Sequence, residues 1–186
     1  LHNLPDIDVQ TLAGALATAT HGTGAALPAL HAEAVQITLL TPRGERIACS
    51  REQRPEVFAA AQVSLGALGV LSEVTLRVRP RHVLHRRVWL MPTEELLQAV
   101  PTLVARHRQF ECYLLPHTGY GAAITHDEVQ EQPRPRAPAP DEDVLRDLRK
   151  LRDWLGRWPA LRRWAAQRLV DPSMHEEATD WSWKLL

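Results

Sequence analysis

From Glu33 to Thr41 the chain reads EAVQITLLT, a run of apolar and β-branched residues, and after Pro42-Arg43-Gly44-Glu45 a second run covers Arg46 to Cys49. Two extended runs around a proline–glycine turn predict a β-hairpin. Arg54-Pro55-Glu56 then precedes Val57-Phe58-Ala59-Ala60-Ala61. A proline near the start and an acid facing the unsatisfied N–H groups of the first turn predict a short helix. From Ser72 to Val78 the period is two: Val74, Leu76 and Val78 share one face, and Glu73, Thr75, Arg77 and Arg79 the other. That is the pattern of a half-buried strand.

Arg79-Pro80-Arg81 closes this run, and we place a domain boundary there, dividing residues 1–80 from 81–186. Val83 to Leu90 reads as a strand. Thr93 ahead of Glu94, Glu95 and Leu96-Leu97-Gln98-Ala99-Val100 predicts a capped helix running to about Arg108, with Pro101 as a place to kink or restart. Phe110 to Leu115 and Ala122 to Thr125 read as strands joined through His117-Thr118-Gly119-Tyr120-Gly121. Strand, helix, strand, strand is an α+β order with an antiparallel sheet. Alternate prolines over 133–140 predict an extended, exposed loop. Beyond it Val144, Leu148, Leu151, Leu155 and Trp158 follow helical spacing, and Pro159 divides the pattern in two.

The chain has 186 residues, 22 basic and 22 acidic, with 45% hydrophobic and 24% charged positions. This is the composition of a chain with a packed core. A formal net charge of zero removes the basic excess expected of a nucleic-acid partner. With only Cys49 and Cys112 there is neither a disulfide framework nor a four-cysteine zinc site. The histidines show no ligand spacing such as H-E-x-x-H, so no metal site is expected. No apolar run approaches the roughly 20 residues of a membrane span. Leu1 follows no initiator Met or signal pattern, and we read the chain as a piece of a longer one, with a cytoplasmic location.

Chemistry concentrates in Thr11-Leu12-Ala13-Gly14-Ala15-Leu16-Ala17-Thr18-Ala19-Thr20-His21-Gly22-Thr23-Gly24. Hydroxyls and small residues bring main-chain N–H groups close to a neighbour with few steric obstacles. Such a ribbon suits a flat polar ring and its phosphates, and equally suits tight packing around a turn.

The order TLAGALATATHGTG, then LGALGVLSEVTLRVRP, resembles the second half of the FAD-binding domain of flavoproteins of the vanillyl-alcohol-oxidase type. Within them it is similar to the sugar-lactone and alditol oxidases, whose lead-in fits Asn3 to Gln10 and whose cap-domain strand fits Phe110-Glu111-Cys112-Tyr113-Leu114-Leu115-Pro116-His117-Thr118. The resemblance implies the end of a two-subdomain FAD-binding domain over 1–80 and the start of an α+β cap domain over 81–186. It implies FAD as cofactor, a small sugar lactone or polyol as substrate, and oxygen or another electron acceptor. Carried over by position, Thr20, His21, Gly22 and Thr23 lie along the flavin and its ribityl–pyrophosphate, Gly14 allows close backbone approach, and main-chain groups at Val70 meet the adenine edge. Thr11 and Thr18 are weaker candidates, since their hydroxyls equally cap or satisfy local backbone. His21 is expected to shape the site rather than carry a covalent flavin. The catalytic residues are expected outside these 186 positions.

Two other readings stand beside this one. Arg146, Arg149, Lys150, Arg152, Arg157, Arg162, Arg163 and Arg168 outnumber Asp147 and Asp153, with Trp154, Trp158 and Trp164 among them. That pattern fits a peripheral membrane or acidic-surface binding module, or a plain solvated face. The third reading is a non-functional remnant.

Overall fold

A computed structural model describes residues 1–7, 9–134, 158, 160, 161, 164, 168 and 170–186. Its contacts divide the chain into two compact units, Leu1–Arg81 with Leu186, and His82–Leu185. Both are mixed helix and antiparallel sheet, the α+β class that the sequence pattern predicts.

In the first unit the hairpin forms as β1 (Ala34–Leu40) and β2 (Arg46–Ser50), followed by α2 (Pro55–Gln62) and β3 (Val70–Leu76); ahead of them lies α1 (Leu12–Ala17). The sheet order is β2-β1-β3, every pair antiparallel, with Ile37 opposite both Cys49 and Val74. Its core gathers Ala34, Ile37, Leu39, Cys49, Phe58 and Ala61, so α2 is held by Phe58 and Ala61. A second cluster of Ala15, Leu16 and Leu30 packs with Leu71, Val74 and Leu76, which seats α1. Burying a leucine such as Leu16 fully, at 0% exposure, is worth about 1.5–3 kcal/mol. β3 stops at Leu76, two residues before the predicted end, and Val78 is exposed. Burial also pushes the Cys49 thiol up, against a smaller opposing pull from the Arg54 guanidinium.

The second unit runs β4 (Val83–Pro92), α3 (Thr93–Arg106), β5 (Gln109–Leu114), β6 (Tyr120–Val129) and β7 (His175–Trp181), ending in a helical turn at Ser182–Leu185. Its sheet order is β5-β6-β4-β7. Leu96, fully buried, fixes α3 over the face that carries Gly121: a Cβ there would lie 2.5 Å from Leu96 Cδ2. The far end of α3 is tied to β6, where His107 Nδ1 donates to Asp127 Oδ2 at 2.6 Å and Arg108 N donates to Asp127 Oδ1 at 3.1 Å.

Two expectations for α3 are corrected. Thr93 is its first helical residue and Pro92 its cap, with no side-chain capping bond, and the helix runs on through Pro101 without restarting there. The N–H that proline lacks would have served the carbonyl of Leu97. Leu97 and Pro101 are both exposed, a position where a missing helix bond costs less than it would in the core. Most of the proline-rich loop and the basic helices beyond it lie outside the described residues.

Candidate functional site

The ribbon begins as a helix. Thr11 caps α1 by accepting from Gly14 N at 3.1 Å, and a Cβ on Gly14 would sit 3.1 Å from that same hydroxyl. At the other end Ala19 takes a left-handed φ of 55°, with Thr20 N donating to Ala15 O at 2.9 Å and Ala19 N to Leu16 O at 3.1 Å. This pair of bonds is a Schellman C-cap, in which glycine is usual at the left-handed position. Thr18 Oγ1 donates to Gly14 O at 2.9 Å and lies 3.3 Å from Thr20 Oγ1, which donates to Gln10 Oε1 at 3.0 Å. The hydroxyls of Thr11 and Thr18 thus complete bonds within the ribbon, and that of Thr20 ties it to Gln10.

Past this cap the side chains are differently placed. The exposed His21 ring donates from Nδ1 to Gly22 O at 2.9 Å. In the neutral ring this fixes the proton on Nδ1 and leaves Nε2 an acceptor open to solvent. Gly22 is pressed against the N-terminal segment: a Cβ would strike Leu4 O and come within 2.5 Å of Asn3 Oδ1. Thr23 Oγ1 is shielded from solvent and has no hydrogen-bond partner among the described residues.

Val70 opens β3, opposite Leu40, with its side chain 64% exposed. β3 is an edge strand, so its outer main-chain groups are not paired into the sheet among the described residues. The loop before it joins the ribbon through Leu65 N, which donates to Ala17 O at 3.1 Å. So the structure brings Thr18, Thr20 and the 64–69 loop to one end of α1, and leaves Thr11 and Gly14 at the other. Sequence reading missed Asn3 and Gln10 as contacts of the ribbon, Ser64 as a buried polar neighbour and His31 as a half-buried one; single polar residues carry no pattern.

The chemistry this place offers is hydrogen bonding. No group of three or more His, Cys, Asp or Glu among the described residues could hold a metal ion. The orphaned Thr23 hydroxyl, the main-chain groups of an irregular Gly/Thr segment and the open edge of β3 fit a polar, oxygen-rich ligand. Likewise no described helix is long and apolar enough to cross a membrane.

A model of the family described as D-arabinono-1,4-lactone oxidase matches residues 74–186. The chain belongs to that family. It is 38% identical over 135 residues to the L-gulono-1,4-lactone dehydrogenase of Mycobacterium tuberculosis, covering 73% of this chain and 31% of that protein. To the L-gulonolactone oxidase of Bos taurus it is 32% identical over 133 residues, covering 72% of this chain and 30% of that one. The chain of this lactone oxidase family member therefore spans about a third of the length of the curated relatives it matches. Among solved structures, cholesterol oxidase from Brevibacterium sterolicum shares its fold, with a TM-score of 0.64 and 18% identity over 97% of this chain and 40% of that one.

Proposed function

We propose that the chain is part of an FAD-dependent oxidoreductase that oxidises a CH–OH group of a sugar lactone or polyol. The observation that carries this is family membership, together with relatives named for gulonolactone oxidation that align over more than two thirds of these residues. Residues 1–80 then belong to the FAD-binding domain and 81–186 to the cap domain. When bound, the flavin supplies hydride acceptance at N5 and is reoxidised by oxygen or another acceptor.

This chain's own share is to hold and orient. Thr20 anchors the ribbon through its own bonds to Ala15, Leu30 and Gln10, Gly22 and Thr23 present main-chain groups and one unengaged hydroxyl, His21 stiffens the ribbon through its bond to the Gly22 carbonyl, and β3 offers main-chain groups from Val70 onward. Thr11, Gly14 and Thr18 act one step back, by building the helix from which the ribbon leaves. No residue here is assigned to proton removal from the substrate.

The test is anaerobic addition of aldonolactones and alditols to the purified full-length protein while flavin absorbance is followed. Bleaching by a lactone or polyol is expected. A protein that purifies without flavin, or whose flavin none of them bleaches, overturns the proposal. Oxygen uptake after bleaching then separates an oxidase from a dehydrogenase, both of which occur among the names of the relatives.

A further inference from the structure

We infer that Ser64 and His31 join Thr23 in one hydrogen-bonding wall for the oxygen-rich ribityl–pyrophosphate of the bound dinucleotide; this rests on the flavin reading above. The ribbon, the turn at Leu30–His31 and the distant segment 62–65 are tied together around the C-terminal end of α1. Leu30 N donates to Thr20 O at 3.2 Å and Leu65 N to Ala17 O at 3.1 Å, while Gln62 Nε2 donates to His31 O at 3.0 Å. Each segment carries one polar atom that is shielded from solvent and has no hydrogen-bond partner among the described residues: Thr23 Oγ1, His31 Nδ1 and Ser64 Oγ.

Ser64 is the sharpest of the three, because its side chain is only 7% exposed. A hydroxyl that gives up water without gaining a partner is rare in folded proteins, and each instance asks for an explanation. Three on hydrogen-bonded neighbouring segments share one explanation more simply than three separate ones. Two hydroxyls, able to donate or accept, and an imidazole nitrogen suit phosphate and ribityl oxygens. They do not suit an apolar ligand, which would leave all three unsatisfied.

The backbone beside Ser64 points the same way. Leu65 adopts a left-handed φ of 50° with its side chain 75% exposed. A bulky residue in that region is strained, and here it gains no buried contact in return; such strain concentrates at ligand clamps. Its N–H bond to Ala17 O holds the strained turn, and Ser64 with it, against the ribbon.

The experiment is Ser64→Ala in the full-length protein, read by FAD titration of the apoprotein through flavin fluorescence and by the thermal midpoint of the apoprotein without ligand. A dissociation constant raised about tenfold is expected, as for one lost bond to a charged or strongly polar acceptor. The apoprotein midpoint should hold or rise, since the hydroxyl removed has no protein partner. Ser64→Cys, of similar size and weak in hydrogen bonding, should behave alike and guards against a packing failure in the alanine variant. Unchanged FAD affinity, or a lowered midpoint in both variants, overturns the inference and leaves the flavin reading standing. A wild-type apoprotein that takes up no FAD overturns both.

Discussion

Gly22→Ala asks what the ribbon leans on. The added Cβ would strike the Leu4 carbonyl and lie 2.5 Å from Asn3 Oδ1, well inside ordinary van der Waals contact. Neither neighbour yields easily: Leu4 O is main chain, and Asn3 is only 5% exposed, so its amide has no solvent to swing into. The ribbon and the N-terminal segment must separate instead, and overpacking of this kind costs about 1–3 kcal/mol. For a chain of about 150–250 residues a loss of about 2 kcal/mol lowers the thermal midpoint by roughly 4–8 °C, and in a longer full-length protein by less. Gly22→Val, with two further methyl groups, should lose more stability and fail to retain flavin after gel filtration, because the displaced stretch includes His21 and Thr23. The added partner variant Asn3→Ala should recover only part of the Gly22→Ala loss, since the Leu4 carbonyl remains. Midpoints are read by thermal unfolding of the full-length protein. A Gly22→Ala variant with the wild-type midpoint and full flavin content would show that the N-terminal segment does not press on the ribbon.

Other substitutions probe the frame around it. Leu16→Ala empties a fully buried site between α1 and β3, and a loss of about 2–5 kcal/mol is expected in denaturant unfolding; a loss below about 1 kcal/mol would mean that α1 is not packed there. Ala19→Gly removes the left-handed strain at the end of α1 and should raise stability by up to about 1 kcal/mol, whereas a lowered midpoint would contradict the Schellman cap. Thr125, 1% exposed, has a hydroxyl with no partner among the described residues, so Thr125→Val should leave the midpoint unchanged or raise it, and a clear fall would reveal a hidden partner. Because burial raises the Cys49 pKa in the fold, the unfolded thiol ionises first. The native state then holds more protons, and stability falls as pH climbs through and above about 8.5. Cys49→Ala should flatten that alkaline limb of a pH–stability curve, and an unaltered slope would refute the assignment.

The elements legible in the sequence were those whose side chains keep time with one period. The β1–β2 hairpin, the β3 alternation and the strand–helix–strand–strand order of the second unit carry apolar residues into the sheets and their cores, and that is what writes the pattern. α1 escaped because LAGALA has no stripe and because Ala19 stands where a helix end usually shows glycine. β7 escaped for the opposite reason: HEEATDW is an edge strand, and charged residues on an edge discourage pairing with other chains while erasing the apolar signal. At the candidate site the residue types were legible and their bonds were not. Nothing in the spelling distinguishes Thr18, which closes onto Gly14, from Thr23, which closes onto nothing described. Ser64 is one serine in a glycine-rich stretch, and only its burial singles it out.

The arrangement also bears on how a ligand would be held. Affinity is reduced by whatever must be ordered on binding, and a segment already fixed by protein bonds carries less of that cost. Here the helix cap at Ala19, the Leu30–Thr20 and Leu65–Ala17 bonds and the Gly22 contact with Asn3 and Leu4 hold the ribbon along its length. Its free groups are therefore positioned by the fold and not by the ligand. The family match covers residues 74–186, whereas the ribbon lies at 11–24. The proposed flavin contacts thus lie outside the residues that the family model matches, and on the proposed function variants of the ribbon should move flavin affinity without changing which lactone the full-length protein prefers.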